Sequence, residues 1–332
     1  MQENEEGNID DFTPPVFVPT GIINRLYRFA ENRCEINWTS RMESDLEQAS
    51  LHVDQLCIFL DENIRLVNYD ANNLRAIVGV SGIDSAVSAW ITAETMRRAK
   101  IEERVNLTDL FILSFRGMNL DDERYGKSFY ESLINHFPEL PIHFHWTDLT
   151  NAIQGIDILT GGILQSTNRI PMWVAEPTTS LIDLITVNMG YKVWAAALDC
   201  GNKTEEALGE INIPSGCLVR PLANLWKTQV YDLAEVLGIP EHLRSTKPIN
   251  STYGVSKVDA YFKDIPENIS PRDIYGLLDL ALKMLYDEKK SVEDVCLLLE
   301  QSPEFISKIQ TKINSQAHRI MIPAFYPQKP KF

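Results

Sequence analysis

Short apolar runs alternate with amphipathic stretches between residues 74 and 198, and this alternation leaves few folds open to the chain. Leu74–Val80, Leu110–Phe115, Ile142–Trp146 and Lys192–Leu198 read as strands, with helices over Asp84–Arg98, Asp121–Phe137 and Thr178–Asn188 between them. Strand and helix in such order build a parallel sheet covered on both faces, so the expected class is α/β. Ligands of these sheets bind at the carboxyl ends of the strands, where the loops gather. Binding residues are therefore expected just after Val80 and Leu198.

The flanking segments read differently. Apolar residues recur at helical spacing from Ser44 to Val67 (Leu51, Val53, Leu56, Ile58, Leu60, Ile64, Leu66), and Asn72-Asn73 stops that helix. The acidic opening Met1–Pro19 carries Pro14-Pro15 and Pro19 and reads as an arm outside the core. Gly155–Pro177, rich in Gly, Thr, Ser and Pro, reads as a functional loop or lid. Leu225–Leu237 is helical and stops at Gly238 with Pro240 beyond. Three more helices are expected over Arg272–Tyr286, Val292–Glu300 and Glu304–Arg319. The resulting division is an arm (1–42), a main domain (43–268) and a carboxyl-terminal helical segment of the same domain (269–332).

A formal net charge of −15 over 332 residues repels a polyphosphate backbone and argues against a nucleic-acid partner. No apolar run approaches the roughly 20 residues of a membrane span. The cysteines, Cys34, Cys57, Cys200, Cys217 and Cys296, lack CxxC spacing, and no signal-like opening is visible, so a reducing cytoplasm is expected.

Two strand-end motifs carry chemistry. In Ser81-Gly82-Ile83-Asp84-Ser85, a strand turns into a helix whose first N–H groups lack partners and whose dipole attracts anions. Gly82 lets the backbone approach phosphate, Ser81 and Ser85 supply hydroxyls, and Asp84 can hold Mg²⁺ against the phosphate. Taken alone the turn also fits an ordinary helix start. The second motif, Gly201-Asn202-Lys203-Thr204-Glu205, places a carboxylate at another strand end. Arg116, after the second strand, lies at the same edge and suits adenine or phosphate, or a surface ion pair. His143 and His145 share a strand face, but neither a third ligand nor a nearby cysteine accompanies them.

Ser81–Ser85 resembles the pyrophosphatase loop Ser-Gly-Gly-x-Asp-Ser of the ATP pyrophosphatase group, and Gly201–Glu205 resembles the Gly-Asn-Lys-Ser/Thr-Glu element of NAD synthetases within it. A third match is Arg220-Pro221-Leu222-Ala223-Asn224-Leu225-Trp226-Lys227-Thr228-Gln229-Val230, followed by Leu237-Gly238-Ile239-Pro240 and Lys247-Pro248. Order and spacing agree from about Glu43 to Ile313. The resemblance implies a Rossmann-like parallel sheet with helices on both faces plus a C-terminal helical extension. It also implies ATP and Mg²⁺ as cofactors, and adenylation of nicotinic acid adenine dinucleotide or an analogous carboxylate with loss of pyrophosphate. Ammonia then displaces AMP. Carried over by position, Asp84 and Glu205 hold the metal, Ser81, Gly82 and Ser85 cradle pyrophosphate, and Lys227 meets ATP phosphate; Lys203, within the second motif, and Arg116, by its place at the strand end, are further candidate nucleotide contacts. A homodimer is implied as well.

The chain departs from that pattern in several places. Ser-Gly-Ile-Asp-Ser is one residue shorter than the family loop, which removes an N–H donor and rotates the later side chains. Asp199-Cys200-Gly201 stands where Gly-Thr-Gly is common, adding a negative charge that repels ATP unless a metal intervenes. Thr178–Asn188 lacks the arginines that meet the dinucleotide, and Glu206–Leu218 is shortened. Two other readings therefore stay open: an inactive binding or regulatory protein, and an ATP pyrophosphatase acting on a different small molecule.

Overall fold

The computed structural model describes residues 41–67, 74–102, 107–116, 120–151, 184–208, 219–245, 249–250, 255–256 and 269–316. Residues 1–40 of the arm, the 155–177 loop, residues 209–218 of the Glu206–Leu218 stretch and Lys247-Pro248 lie outside these residues, as do Cys34 and Cys217.

Helix α1 (Leu46–Val67) starts where Asp45 Oδ1 accepts from Gln48 N–H at 2.8 Å. It turns Val53, Leu56, Cys57, Leu60 and Ile64 into the core. Strand β1 (Leu74–Val80) leads into α2 (Ile83–Ile101), and β2 (Leu107–Arg116) into α3 (Leu120–His136). Strand β3 (Ile142–Asp148) follows. Beyond the undescribed loop, residues 184–193 form α4, and β4 is Ala196–Ala197. The strands pair in the order β3-β2-β1-β4, all parallel, and a bridge from Leu198 to Val219 extends the β4 edge.

Alternation along β1 and β2 divides the core. Leu74, Ala76, Val78, Val80, Leu110 and Ile112 pack with α1, α2 and α3 on one face. Ile77, Leu113 and Phe115 face the other way, toward Ile185 and Met189 of α4. Helix α2 is buried nearly all round, as a helix between a sheet and further helices must be. The molecule is a Rossmann-like α/β fold with helices on both faces.

The fourth strand is where the expectation fails. Lys192 and Val193 are helical, not extended, and the strand shrinks to Ala196–Ala197. Helix α4 runs on and stops in a Schellman turn, in which Ala195 N–H donates to Gly190 O at 2.9 Å and Trp194 takes φ 57°. That turn consumes residues the sequence had offered to the strand.

Further helices follow among the described residues. They are α5 (Lys203–Ala207), α6 (Lys227–Val236), the single turn α7 (Glu241–Arg244), and α8 (Pro271–Leu282), which passes into a π turn at Lys283–Asp287. Helices α9 (Val292–Leu299) and α10 (Pro303–Gln316) follow. A second core gathers Leu277, Leu278, Ala281, Leu282, Val295, Phe305, Ile306 and Ile309 with Ala207, Leu208, Trp226 and Tyr231. Asp232 of α6 joins these parts: Arg272 of α8 ion-pairs with it, and Ser44 Oγ donates to it at 2.9 Å.

Candidate functional site

The strand order places the site. The chain runs outward from β1 to β2 and β3, then returns to β4 on the other side of β1, so the crevice between β1 and β4 is the switch point. The loops leaving these two strands carry Ser81–Ser85 and Gly201–Glu205.

Gly82 has φ −172°, an extended conformation open to any residue, and a Cβ built on it meets no described atom within 4 Å. Neither backbone strain nor packing against the described residues requires glycine there. The N–H groups of Ser81 and Gly82 both donate to Ser85 Oγ, at 3.0 and 3.2 Å, and that hydroxyl donates to Gly82 O at 2.9 Å. Ser85 thus closes the turn upon itself. Asp84, on the first turn of α2, faces across the crevice. It ion-pairs with Lys227 and accepts from Asn202 Nδ2 at 3.1 Å. Despite the shorter loop, Asp84 meets residues from both of the other motifs.

Asn202 is fully buried and caps α5: its Oδ1 accepts from Glu205 N–H at 3.1 Å, while Glu205 Oε2 accepts from Asn202 N–H at 3.3 Å. The carboxylates of Asp84 and Glu205 therefore rest against one residue, from its side-chain amide and its backbone. Asp199 does not stand as the bare negative charge expected. Arg220 Nε pairs with it at 3.0 Å and Gly201 N–H donates to it at 2.7 Å. Burial pushes the Asp199 carboxyl up, Arg220 and the Gly201 N–H pull it down, and Glu205 adds a smaller upward push. Gly201 is needed for this arrangement: a Cβ there lies 2.6 Å from Arg220 Nη2 and 3.0 Å from Asp199 Oδ1.

Lys227 is the first residue of α6 and is buried, with its ammonium 5.5 Å from the centre of the Tyr275 ring. The cap residue of α6, Trp226, makes no side-chain capping bond. Other helices supply the missing acceptors. Lys227 N–H donates to Thr204 Oγ1 at 2.8 Å, and that hydroxyl donates to Asp279 Oδ1 at 2.6 Å. Thr228 donates to Asp279 Oδ2 from its N–H at 2.8 Å and from Oγ1 at 3.0 Å. Burial pushes the Asp279 carboxyl up to about 6, against the downward pull of these hydrogen bonds and of Lys227.

The remaining sequence candidates fall in different places. Lys203 ion-pairs with Asp287 of the π turn and lies 4.5 Å over the Trp226 ring, so it ties α5 to the carboxyl-terminal helices. Arg116 ends β2 in register with Asp148. His143 Nε2 pairs with Asp109 at 2.8 Å, near the amino ends of the strands and away from the crevice.

Sequence reasoning missed several contributors. Tyr125 of α3 and Tyr231 of α6 are buried near Asp84; burial and that carboxylate push both phenols upward. Arg220 opened the third motif without being given a role, and Asp279 went unnoticed. Asp279 left a readable trace as the lone carboxylate within the apolar run Leu277-Leu278-Asp279-Leu280-Ala281-Leu282. A fully buried acid is retained only when its acceptors are used.

Among the described residues, no group of three or more His, Cys, Asp or Glu side chains forms a metal cage. Magnesium does not require one, because it takes a few carboxylate oxygens together with water and phosphate. Asp84 and Glu205 both rest against Asn202, which brings two carboxylates to the crevice.

The family model for NAD synthase matches residues 185–323. The NH(3)-dependent NAD(+) synthetase of Fusobacterium nucleatum is 23% identical over 287 residues, 84% of this chain and 96% of its own length. That of Methanocaldococcus jannaschii is 24% identical over 283 residues, covering 82% and 94%. Among solved structures, NMN synthetase from Francisella tularensis superposes with a TM-score of 0.56 at 19% identity, over 86% of this chain and 99% of that one. NAD+ synthetase from Burkholderia pseudomallei gives 0.55 at 15% identity, over 90% and 97%. These structures share the fold. The family model over residues 185–323, the curated relatives matched over most of their length and three motifs meeting at one crevice all liken the chain to the NAD synthetases.

Proposed function

We propose that this protein is an ATP-dependent ligase that adenylates the carboxylate of nicotinic acid adenine dinucleotide, or a close analogue, and amidates it with ammonia. The observation that carries this reading is the meeting of Asp84, Asn202 and Lys227, from three distant segments, at the β1/β4 switch point. Such a meeting suits a triphosphate, whose charge must be neutralised as pyrophosphate leaves.

In this reading Lys227 gives its ammonium to ATP phosphate, leaving Asp84 free to take a cation. Asp84 and Glu205 would hold Mg²⁺, which when bound offsets charge on the departing pyrophosphate. Asn202 keeps the two carboxylates on one side of the crevice. Ser81, Gly82 and Ser85 line the phosphate end, with Gly82 as the place where phosphate approaches the backbone. Lys203 and Arg116 remain proposed nucleotide contacts, Lys203 on condition that it leaves Asp287. We place the reaction in the 43–268 body together with its carboxyl-terminal segment 269–332, and propose a homodimer in the cytoplasm.

A second reading is a protein that binds nucleotide without turnover. It draws on the closed Ser81–Ser85 turn, whose first N–H groups already have an acceptor, and on the Lys227 pairing of Asp84. The deciding experiment incubates the full chain with ATP, Mg²⁺, ammonia and nicotinic acid adenine dinucleotide, with nicotinic acid mononucleotide as a parallel substrate. AMP and amidated product should appear in equal amounts and disappear with Asp84→Ala. ATP binding without either product would replace the ligase by the second reading.

A further inference from the structure

We propose that Asp279 is a positioning residue that aims Lys227 at the crevice, acting from the carboxyl-terminal helix through Thr204 and Thr228. The inference rests on the reading of Lys227 as a phosphate contact and adds the device that holds it there.

An isolated helix start leaves its first N–H groups without acceptors, and a polar side chain at the cap residue is the usual remedy. Trp226 has none to offer. The first two N–H groups of α6 are instead satisfied from other helices: that of Lys227 by Thr204 Oγ1 of α5, and that of Thr228 by Asp279 Oδ2 of α8. Thr204 in turn donates to Asp279 Oδ1, so one carboxylate joins the beginnings of both motif helices. Chains of this kind, in which each group donates to the next, reinforce one another in a buried setting.

The consequence is geometric. Thr204 precedes Glu205 and Thr228 follows Lys227, so the backbone carrying each candidate site residue is pinned one residue away from it. Asp279, Thr204 and Thr228 are almost wholly buried. They cannot touch a ligand in the crevice and act only through where they put Lys227 and Glu205. A shift of about 1 Å at such a group can cost about a hundredfold in the step it serves.

Two substitutions at Thr204 isolate the link. Thr204→Val keeps the shape and removes the hydroxyl, whereas Thr204→Ser keeps the hydroxyl. Asp279→Asn tests the carboxylate itself. The ligand-free readout is the rate at which acetic anhydride modifies Lys227, followed by peptide mass spectrometry. Modification of the buried Cys57 by a thiol reagent reports general opening of the core in the same samples. Thr204→Val should speed Lys227 modification about tenfold with Cys57 still protected, and Thr204→Ser should restore the wild-type rate. Asp279→Asn, if it folds, should match Thr204→Val. An unchanged Lys227 rate in Thr204→Val, or parallel gains at Lys227 and Cys57, overturns the proposal. Calorimetry with Mg-ATP then adds the functional arm, where Thr204→Val should weaken binding about tenfold. Wild-type protein that binds no ATP refutes the proposed function while the labelling result stands on its own.

Discussion

Gly201 shows how a single missing side chain holds a charge pair together. Any Cβ there presses on Arg220 Nη2 at 2.6 Å, and a guanidinium only 4% exposed has little room to retreat. Gly201→Ala should destabilise the fold by about 1–3 kcal/mol, read from chemical denaturation. Unchanged stability would mean that Arg220 can move aside. Asp279 gives a pH signature. Its carboxyl is raised to about 6 from 3.8, so the folded state holds the proton more tightly than the unfolded chain. Between these values acidification stabilises the fold, and that contribution is lost as pH rises through about 6. The stability of wild type relative to Asp279→Asn should therefore be greater at pH 5 than at pH 7. An equal difference at both would place the titration elsewhere. The difference in visibility between residues has a plain cause. Asp84, Glu205 and Lys227 were legible because each sits inside a motif at a strand or helix end. Tyr125 and Asp279 lie outside the motifs and matter through burial and long-range partners, which local sequence does not display, and Arg220, though inside the third motif, showed no sign of its pairing with Asp199.

At the scale of elements, the strand–helix alternation through β3 was readable from apolar pattern and length. The fourth strand was not, because the end of α4 was decided by a turn and not by propensity. Helix α6 ends on Gly238 at φ 74°, where glycine accepts the left-handed conformation without cost. Helix α4 makes the same turn with Trp194, and α9 with Glu300. Gly238 was therefore visible as a stop signal, whereas Trp194 gave none. Trp194 is 61% exposed, so little packing offsets its left-handed backbone. Trp194→Gly should raise stability by about 1 kcal/mol, measured as a higher thermal midpoint. A lower midpoint would show that the indole is held by contacts worth more than the strain.

At the scale of the molecule, the site lies where two cores meet. The sheet and its helices supply Asp84 and Asn202, and the carboxyl-terminal helices supply Asp279, which accepts from Thr204 and Thr228 beside Glu205 and Lys227, and Asp287, which ion-pairs with Lys203. This junction brings motifs that are far apart in sequence together and ties the carboxyl-terminal helices to two of them. In the proposed reaction adenylation is the step that would draw on all of these parts together, and it can be isolated from amidation by withholding ammonia. The measurement is exchange of labelled pyrophosphate into ATP, with Mg²⁺ and nicotinic acid adenine dinucleotide present. Wild-type protein should catalyse an exchange that depends on the dinucleotide and falls at least about a hundredfold in Asp84→Ala and Lys227→Ala. Exchange that persists in both variants, or its absence from the wild type, would contradict adenylation at this crevice.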